Sequence, residues 1–272
     1  MTMLINGEPG ESVSVLDRGF QYGDGLFETL AVENGAPLLW DRHMQRLLHG
    51  AARLRIDAPA VKLLRDEAER VCRDAERAVL KIIVTRGVAG RGYAPAPESK
   101  STRAVCLLPW PDYPSRHRTH GVAVCFCRTM IARNGTFAGL KHLNRLEQVR
   151  ARMELDEDHT EGLMLDELGH VIEGTMTNIF VVHGNELLTA DLSQSGVAGI
   201  MRDLVLERAA ALMPACRVTT LKRETVLNAD EVFLTNSLIG LWPVRRIEAK
   251  EYSPGPVTQR IQEAIRDAHG DA

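Results

Sequence analysis

From Leu107 to His120 the chain reads Leu-Leu-Pro-Trp-Pro-Asp-Tyr-Pro-Ser-Arg-His-Arg-Thr-His, with three prolines and almost no periodic hydrophobicity. Such a composition suits an extended connector between two packed units. It divides the 272 residues into two lengths that can each bury a core. The domain boundary is placed near residue 114, giving domains 1–114 and 115–272. Before the connector, strand-like runs at 3–5, 26–33, 79–86 and 103–108 surround two amphipathic segments. The first opens at Asp41, an expected N-cap, with Met44, Leu47, Leu48, Ala51 and Leu54 at the spacing of one helical face. The second covers 59–73. After the connector, strands at 121–128, 162–166, 177–183 and 231–235 alternate with helical patterns at 141–154, 199–213 and 256–268. In the helix expected from Lys141, the residues Leu143, Leu146, Val149 and Met153 supply the apolar stripe. The fold class is α+β.

Composition removes several function classes. With 44% apolar and 25% charged residues the chain has the make-up of a globular protein rather than a disordered one. A formal charge of -3 without a basic block argues against nucleic acid as a partner. The longest apolar runs, such as 122–127 and 179–182, fall far short of the roughly 20 residues that span a bilayer. The N-terminus lacks the charged start and long apolar run of a secretory signal, so the cytoplasm is expected. Cysteines 72, 106, 125, 127 and 216 form no C-x-x-C pair and are odd in number, which suits reduced core thiols. No G-x-S-x-G elbow, H-E-x-x-H helix or Cys/His metal spacing occurs, and no metal is expected.

Two glycine-rich places and one lysine are left as candidates for chemistry. Gly23-Asp24-Gly25 precedes a strand rather than a helix and reads as a turn. In Gly196-Val197-Ala198-Gly199-Ile200-Met201-Arg202, glycines lead into a helix, so the amides of Ile200 and Met201 point outward at its positive end. That arrangement is either a phosphate cup or an ordinary helix start. Lys141 follows Ala138-Gly139-Leu140. It is either a solvated lysine or an amine kept partly dry, with the lowered pKa that carbonyl chemistry needs.

Several segments, in order, carry a resemblance. They are Asp17-Arg18-Gly19 through Tyr22-Gly23-Asp24-Gly25-Leu26-Phe27-Glu28-Thr29, His43 to Leu47, Gly90-Arg91-Gly92-Tyr93, and Gly139-Leu140-Lys141-His142-Leu143-Asn144-Arg145-Leu146-Glu147-Gln148. Val171-Ile172-Glu173, Asn178-Ile179-Phe180, Gly199-Ile200-Met201-Arg202 and Thr235-Asn236-Ser237 complete the set. Together they resemble the pyridoxal-phosphate enzymes of fold type IV, which include branched-chain and D-amino-acid aminotransferases. Within that family they are most similar to the 4-amino-4-deoxychorismate lyases. The resemblance implies the two-domain architecture of the D-amino-acid aminotransferase type, with a smaller N-terminal α/β domain and a larger β-rich C-terminal domain holding most cofactor contacts.

It also implies roles. Lys141 holds pyridoxal 5'-phosphate through its amine and then moves the proton. Glu173 pairs with the pyridine nitrogen and Arg46 binds the phosphate, joined there by the amides of Ile200 and Met201 and by Ser237. Asn144 touches the cofactor or caps the helix. Thr29 orients a proton or water beside Lys141 as a catalytic residue. Arg91-Gly92-Tyr93 stands where D-amino-acid aminotransferases carry an Arg-x-His set, and Phe27 where they carry a tyrosine. Two of the three polar residues of their carboxylate trap are therefore absent, which argues against a D-amino-acid substrate. Arg91 and Tyr93 are expected at a carboxylate of a bulkier dianion, the other reading of Arg91 being an exposed loop arginine. The implied reaction converts 4-amino-4-deoxychorismate to 4-aminobenzoate and pyruvate, in folate biosynthesis, by a homodimer. The alternative is an aminotransferase for branched-chain or D-amino acids, which would require a keto-acid acceptor.

Overall fold

Each half of the chain builds its own β-sheet. The structure is a computed structural model that describes residues 2–96 and 99–269. It resolves into two compact units, Met1–Pro111 with Leu140–Asn144, and Asp112–Gly139 with Arg145–Ala272. The break at Pro111 lies inside the proline-rich connector, just ahead of residue 114. The return of Leu140–Asn144 to the first unit is something no single cut can express.

In the first unit the elements are β1 (Thr2–Ile5), β2 (Glu8–Pro9), α1 (Arg18–Tyr22), β3 (Gly25–Glu33), β4 (Ala36–Pro37), α2 (Trp40–Leu54), α3 (Val61–Cys72), β5 (Arg77–Thr85) and β6 (Thr102–Pro109). The strands form one antiparallel sheet in the order β2-β1-β6-β5-β3-β4. Alternation along β3 puts Leu26, Leu30 and Val32 into a core with Met44 and Leu47 of α2 and Leu64 of α3, and turns Phe27 and Thr29 to the opposite face. Helix α2 starts one residue before the expected cap. Its N-cap is Leu39, in the left-handed conformation at φ 52, and Asp41 lies in the first turn instead. There its charge still suits the positive end of the helix.

The second unit contains α4 (Arg116–Thr119), β7 (Val122–Phe126), α5 (Leu146–Arg152), β8 (Glu161–Leu165), β9 (His170–Gly174), β10 (Asn178–His183), β11 (Glu186–Ala190), α6 (Ile200–Ala209), β12 (Ala215–Thr219), β13 (Leu221–Lys222), α7 (Arg223–Leu227), β14 (Glu231–Asn236), β15 (Gly240–Ile247), β16 (Lys250–Glu251) and α8 (Pro256–His269). Its sheet of 10 strands runs β12-β11-β10-β14-β15-β7-β8-β9-β13, with β16 on β15. Most pairs are antiparallel; β11 with β12, β15 with β7, and β7 with β8 are parallel. Strand β15 carries Pro243 opposite Phe233, and its register shifts between Val244 and Arg246, which is how a central strand accommodates a residue with no donor.

Lys141 does not open a helix. The backbone of 141–143 is extended beside β3: Phe27 N–H donates to the Lys141 carbonyl at 3.0 Å and Leu143 N–H to the Gly25 carbonyl at 2.9 Å. Those groups are thereby unavailable to a helix, which begins only at Leu146. The stripe expected to face a core is turned outward, with Leu146 79%, Val149 56% and Met153 74% exposed. Gln148 and Ala151 are the buried residues of α5 instead. All five cysteines are free thiols, and burial pushes Cys72 up to about 11 and Cys127 up to about 12. No described helix is long and apolar enough to cross a membrane.

Candidate active site

In the first unit the extended 141–143 segment sets Lys141 over β3. Its Nζ lies 4.4 Å from the centroid of the Phe27 ring. Thr29 follows on the same strand face, half-buried. An ammonium over an aromatic face is attracted to the ring quadrupole, and a neutral amine there meets no competing acid from the ring. Asn144 is exposed and its Nδ2 donates to the Gly23 carbonyl at 3.0 Å. Gly23 has φ 65, and a Cβ there would lie 2.6 Å from Asn144 Oδ1, so the turn requires glycine. Asn144 is not the helix cap; that position belongs to Arg145.

On the other face of β3, Glu28 is buried and takes hydrogen bonds from one guanidinium and one imidazole. Arg46 Nε donates to Oε1 at 2.8 Å and Arg46 Nη2 to Oε2 at 2.5 Å, while His43 Nδ1 lies 2.6 Å from Oε2. Burial works to raise the Glu28 pKa, but the Arg46 guanidinium and the hydrogen bonds from Arg46 and His43 outweigh it and hold the carboxyl down at about 2. Burial holds His43 below its ordinary value against the pull of Glu28. Glu28 and His43 occur in the matching segments but carried no assigned role. Their spacings, Glu28 on a strand and His43 and Arg46 on one helical turn, are the signal that could have found them. The guanidinium expected at a phosphate is thus pre-oriented by a bidentate carboxylate.

The expected substrate loop is also clamped. Arg18, buried, donates from Nη1 to the Gly92 carbonyl and from Nη2 to the Tyr93 carbonyl, both at 2.8 Å, and from Nε to Asp24 at 2.8 Å. Arg86 grips the same Asp24 carboxylate with Nε at 2.8 Å and Nη2 at 3.0 Å, and reaches the carbonyls of Leu54 and Arg55 at the end of α2. Burial raises the Asp24 pKa, yet the two guanidiniums bring it below the usual carboxylate range. Arg91 and Tyr93 are exposed on this loop, and the Tyr93 ring lies 5.4 Å from that of Tyr22.

In the second unit Glu173 is buried at the end of β9. Its Oε2 accepts from Val197 N–H at 2.8 Å and its Oε1 from Gln148 Nε2 at 3.4 Å. Val197 leads into α6, whose N-cap Gly199 offers no side chain; a Cβ there would lie 1.9 Å from Asn178 Oδ1. The first-turn amides of Ile200 and Met201 have no intrahelical acceptors and no side-chain cap. Asn178 pairs with Thr235 across β10 and β14, so the turn holding Ser237 follows directly from a strand that adjoins this helix start. The hydroxyls of Thr177, Ser195 and Thr235 are buried without partners. A buried carboxylate that accepts, with an uncapped helix start and orphaned hydroxyls that donate, suits a ligand with a basic ring nitrogen and a phosphate. Gly139 joins the segment ahead of α6, its N–H donating to the Gly196 carbonyl at 2.9 Å and its carbonyl accepting from Ala198 N–H at 3.1 Å.

Residues 25–247 match the family model of class IV amino-transferases. The chain is 35% identical to the aminodeoxychorismate lyase of Vibrio harveyi over 95% of this chain and 97% of that protein. The crystal structure of 4-amino-4-deoxychorismate lyase from Pseudomonas aeruginosa superposes with a TM-score of 0.94 at 44% identity, covering 97% of this chain and 98% of that one. A hypothetical aminotransferase from Mycobacterium tuberculosis, in a PLP-bound form, shares the fold at 22% identity with a TM-score of 0.84 and 99% coverage of both chains.

Proposed function

We propose, for a chain that belongs to the class IV amino-transferase family, a pyridoxal-phosphate-dependent lyase reaction: 4-amino-4-deoxychorismate is converted to 4-aminobenzoate and pyruvate, a step of folate biosynthesis. The lyases of Vibrio harveyi and Pseudomonas aeruginosa, each aligned along nearly the whole chain, support the reading. The observation that carries it is the apolar Phe27 ring 4.4 Å from Lys141 Nζ, where D-amino-acid aminotransferases have a phenol. A substrate that only has to lose a proton and a side chain needs no phenol there to grip an α-carboxylate.

The residues proposed to hold the cofactor are Lys141, Glu173, Arg46, Ile200, Met201, Ser237 and Asn144. Bound there, pyridoxal phosphate supplies an electron-withdrawing ring to the substrate carbon that bears the amine. Glu173 keeps the ring nitrogen protonated. Lys141 would tether the cofactor through its amine and, as a free amine, would remove the proton from that substrate carbon. Thr29 orients the proton that Lys141 returns to the departing enolpyruvyl oxygen. Loss of that group makes the product ring aromatic, which drives the reaction forward. Arg91 and Tyr93 meet a substrate carboxylate at the clamped loop.

The enzyme acts in the cytoplasm as a homodimer. The outward apolar stripe of α5 supports two copies, because monomers rarely leave such residues in water together. The test is incubation of the cofactor-loaded protein with 4-amino-4-deoxychorismate and no amino acceptor. Equal amounts of 4-aminobenzoate and pyruvate are expected. A strict requirement for a keto acid would identify the aminotransferase alternative, and absence of both products would refute the lyase.

A further inference from the structure

Helix α5 is packed against its own polarity. Its exposed side carries Leu146, Val149 and Met153, and its buried side carries Gln148 with Ala151. Hydrophobic burial alone would turn the helix the other way, because an amide taken out of water must find partners where it goes. Gln148 finds one: its Nε2 donates to Glu173 Oε1 at 3.4 Å. An ionised carboxylate only accepts, so the amide presents its NH2 group to Glu173. Its Oε1 is then left buried without a partner among the described residues. The start of α5 is anchored separately, by Glu147 Oε1 accepting from Ala132 N–H at 3.1 Å. The other oxygen of Glu173, Oε2, accepts from Val197 N–H at 2.8 Å. The two oxygens of one buried carboxylate are therefore held from two elements, by a backbone amide ahead of α6 and by a side chain of α5.

We propose that Gln148 is a positioning residue that fixes the plane of the Glu173 carboxylate toward the ring nitrogen of the cofactor. The inference rests on the reading of Glu173 as the partner of that nitrogen. A carboxylate gripped at one oxygen swings about its last side-chain bond, since that torsion is broad and nearly two-fold. Donors on both oxygens remove the swing. A ring N–H then meets a lone pair that is already aimed, and binding does not have to order the acid first. Val197 N–H is backbone and comes with the entry to α6, so Gln148 is the half of the hold that a side chain supplies. The exposed apolar stripe of α5 follows from aiming this amide at Glu173.

The test uses the full-length protein freed of cofactor, as wild type, Gln148→Leu and Gln148→Met. Both replacements are apolar and close to glutamine in volume, so burial favours their folding. Each protein is titrated with pyridoxal 5'-phosphate and with its 1-deaza analogue, in which a C–H replaces the ring nitrogen. Affinity for pyridoxal phosphate should fall by about 5- to 20-fold in both variants, while affinity for the analogue stays within about twofold of wild type. A side chain that only supports the fold would move both affinities together, and equal losses would overturn the proposal. Glu173→Gln separates this inference from the reading beneath it. That variant should lower the preference for pyridoxal phosphate over the analogue at least as far as the Gln148 variants do. An unchanged preference in Glu173→Gln would refute the assignment of Glu173 and the proposal with it. A lowered preference there, with wild-type preference in Gln148→Leu and Gln148→Met, would overturn the role of Gln148 alone.

Discussion

Glu28→Gln removes the buried charge that Arg46 and His43 share. Glu28 is 1% exposed, so its carboxylate is held by protein groups rather than by water. Its pKa is drawn from 4.5 to about 2, and at 1.36 kcal/mol per unit the ionised form contributes about 3 kcal/mol of stability. That agrees with the roughly 3–5 kcal/mol typical when one partner of a buried pair is deleted. The folded pKa is the lower one, so the contribution is present in full above the unfolded value and is lost as pH falls toward the folded value. Glutamine does not titrate in this range. Urea melts of wild type and variant should differ by about 3 kcal/mol near neutral pH and by about half that near pH 3. Performing the pair in a His43→Gln background removes the imidazole's own titration, and Arg46 still supplies the dominant attraction. A gap below about 1 kcal/mol at neutral pH, or one that does not change with pH, would show that the ion pair is not what stabilises this side of β3.

Lys141→Ala should abolish both the borohydride-bleachable visible band and the release of 4-aminobenzoate, a rate loss of at least about 10³-fold; a retained band would move the attachment point elsewhere. Arg18→Lys cannot serve two carbonyls and Asp24 together, and should cost about 2–3 kcal/mol. Amide hydrogen exchange over 89–95, followed by mass spectrometry, should accelerate, and unchanged protection would contradict the clamp. Gly199→Ala places a Cβ 1.9 Å from Asn178 Oδ1, and the required shift should cost about 1–3 kcal/mol in a thermal melt. It should also weaken pyridoxal phosphate binding, measured by equilibrium titration; equal affinity would remove the start of α6 from the phosphate site.

Much of the scaffold was legible because its signals are local. The alternation along β3, the one-sided pattern of α2 and the glycine entry to α6 each depend on residues within one or two turns, and the elements lie where those patterns put them. Strand β15 escaped because Pro243 speaks against a central strand until the register shift beside it is seen. The apolar spacing after Lys141 does have helical period, yet Gly25 and Phe27 claim the backbone groups its first turn would need.

The sequence by itself determined the ordered motif set and the strand and helix periods, and it nominated the lysine, glutamate and arginine proposed for the cofactor. Only tertiary structure decided that Arg18 holds carbonyls 74 and 75 residues away, that Glu28 orients Arg46 and that Gln148 meets Glu173. The reason is physical: periodicity is written in neighbouring residues, whereas the partner of a buried charge is chosen by sheet register and by which distant groups remain to satisfy it.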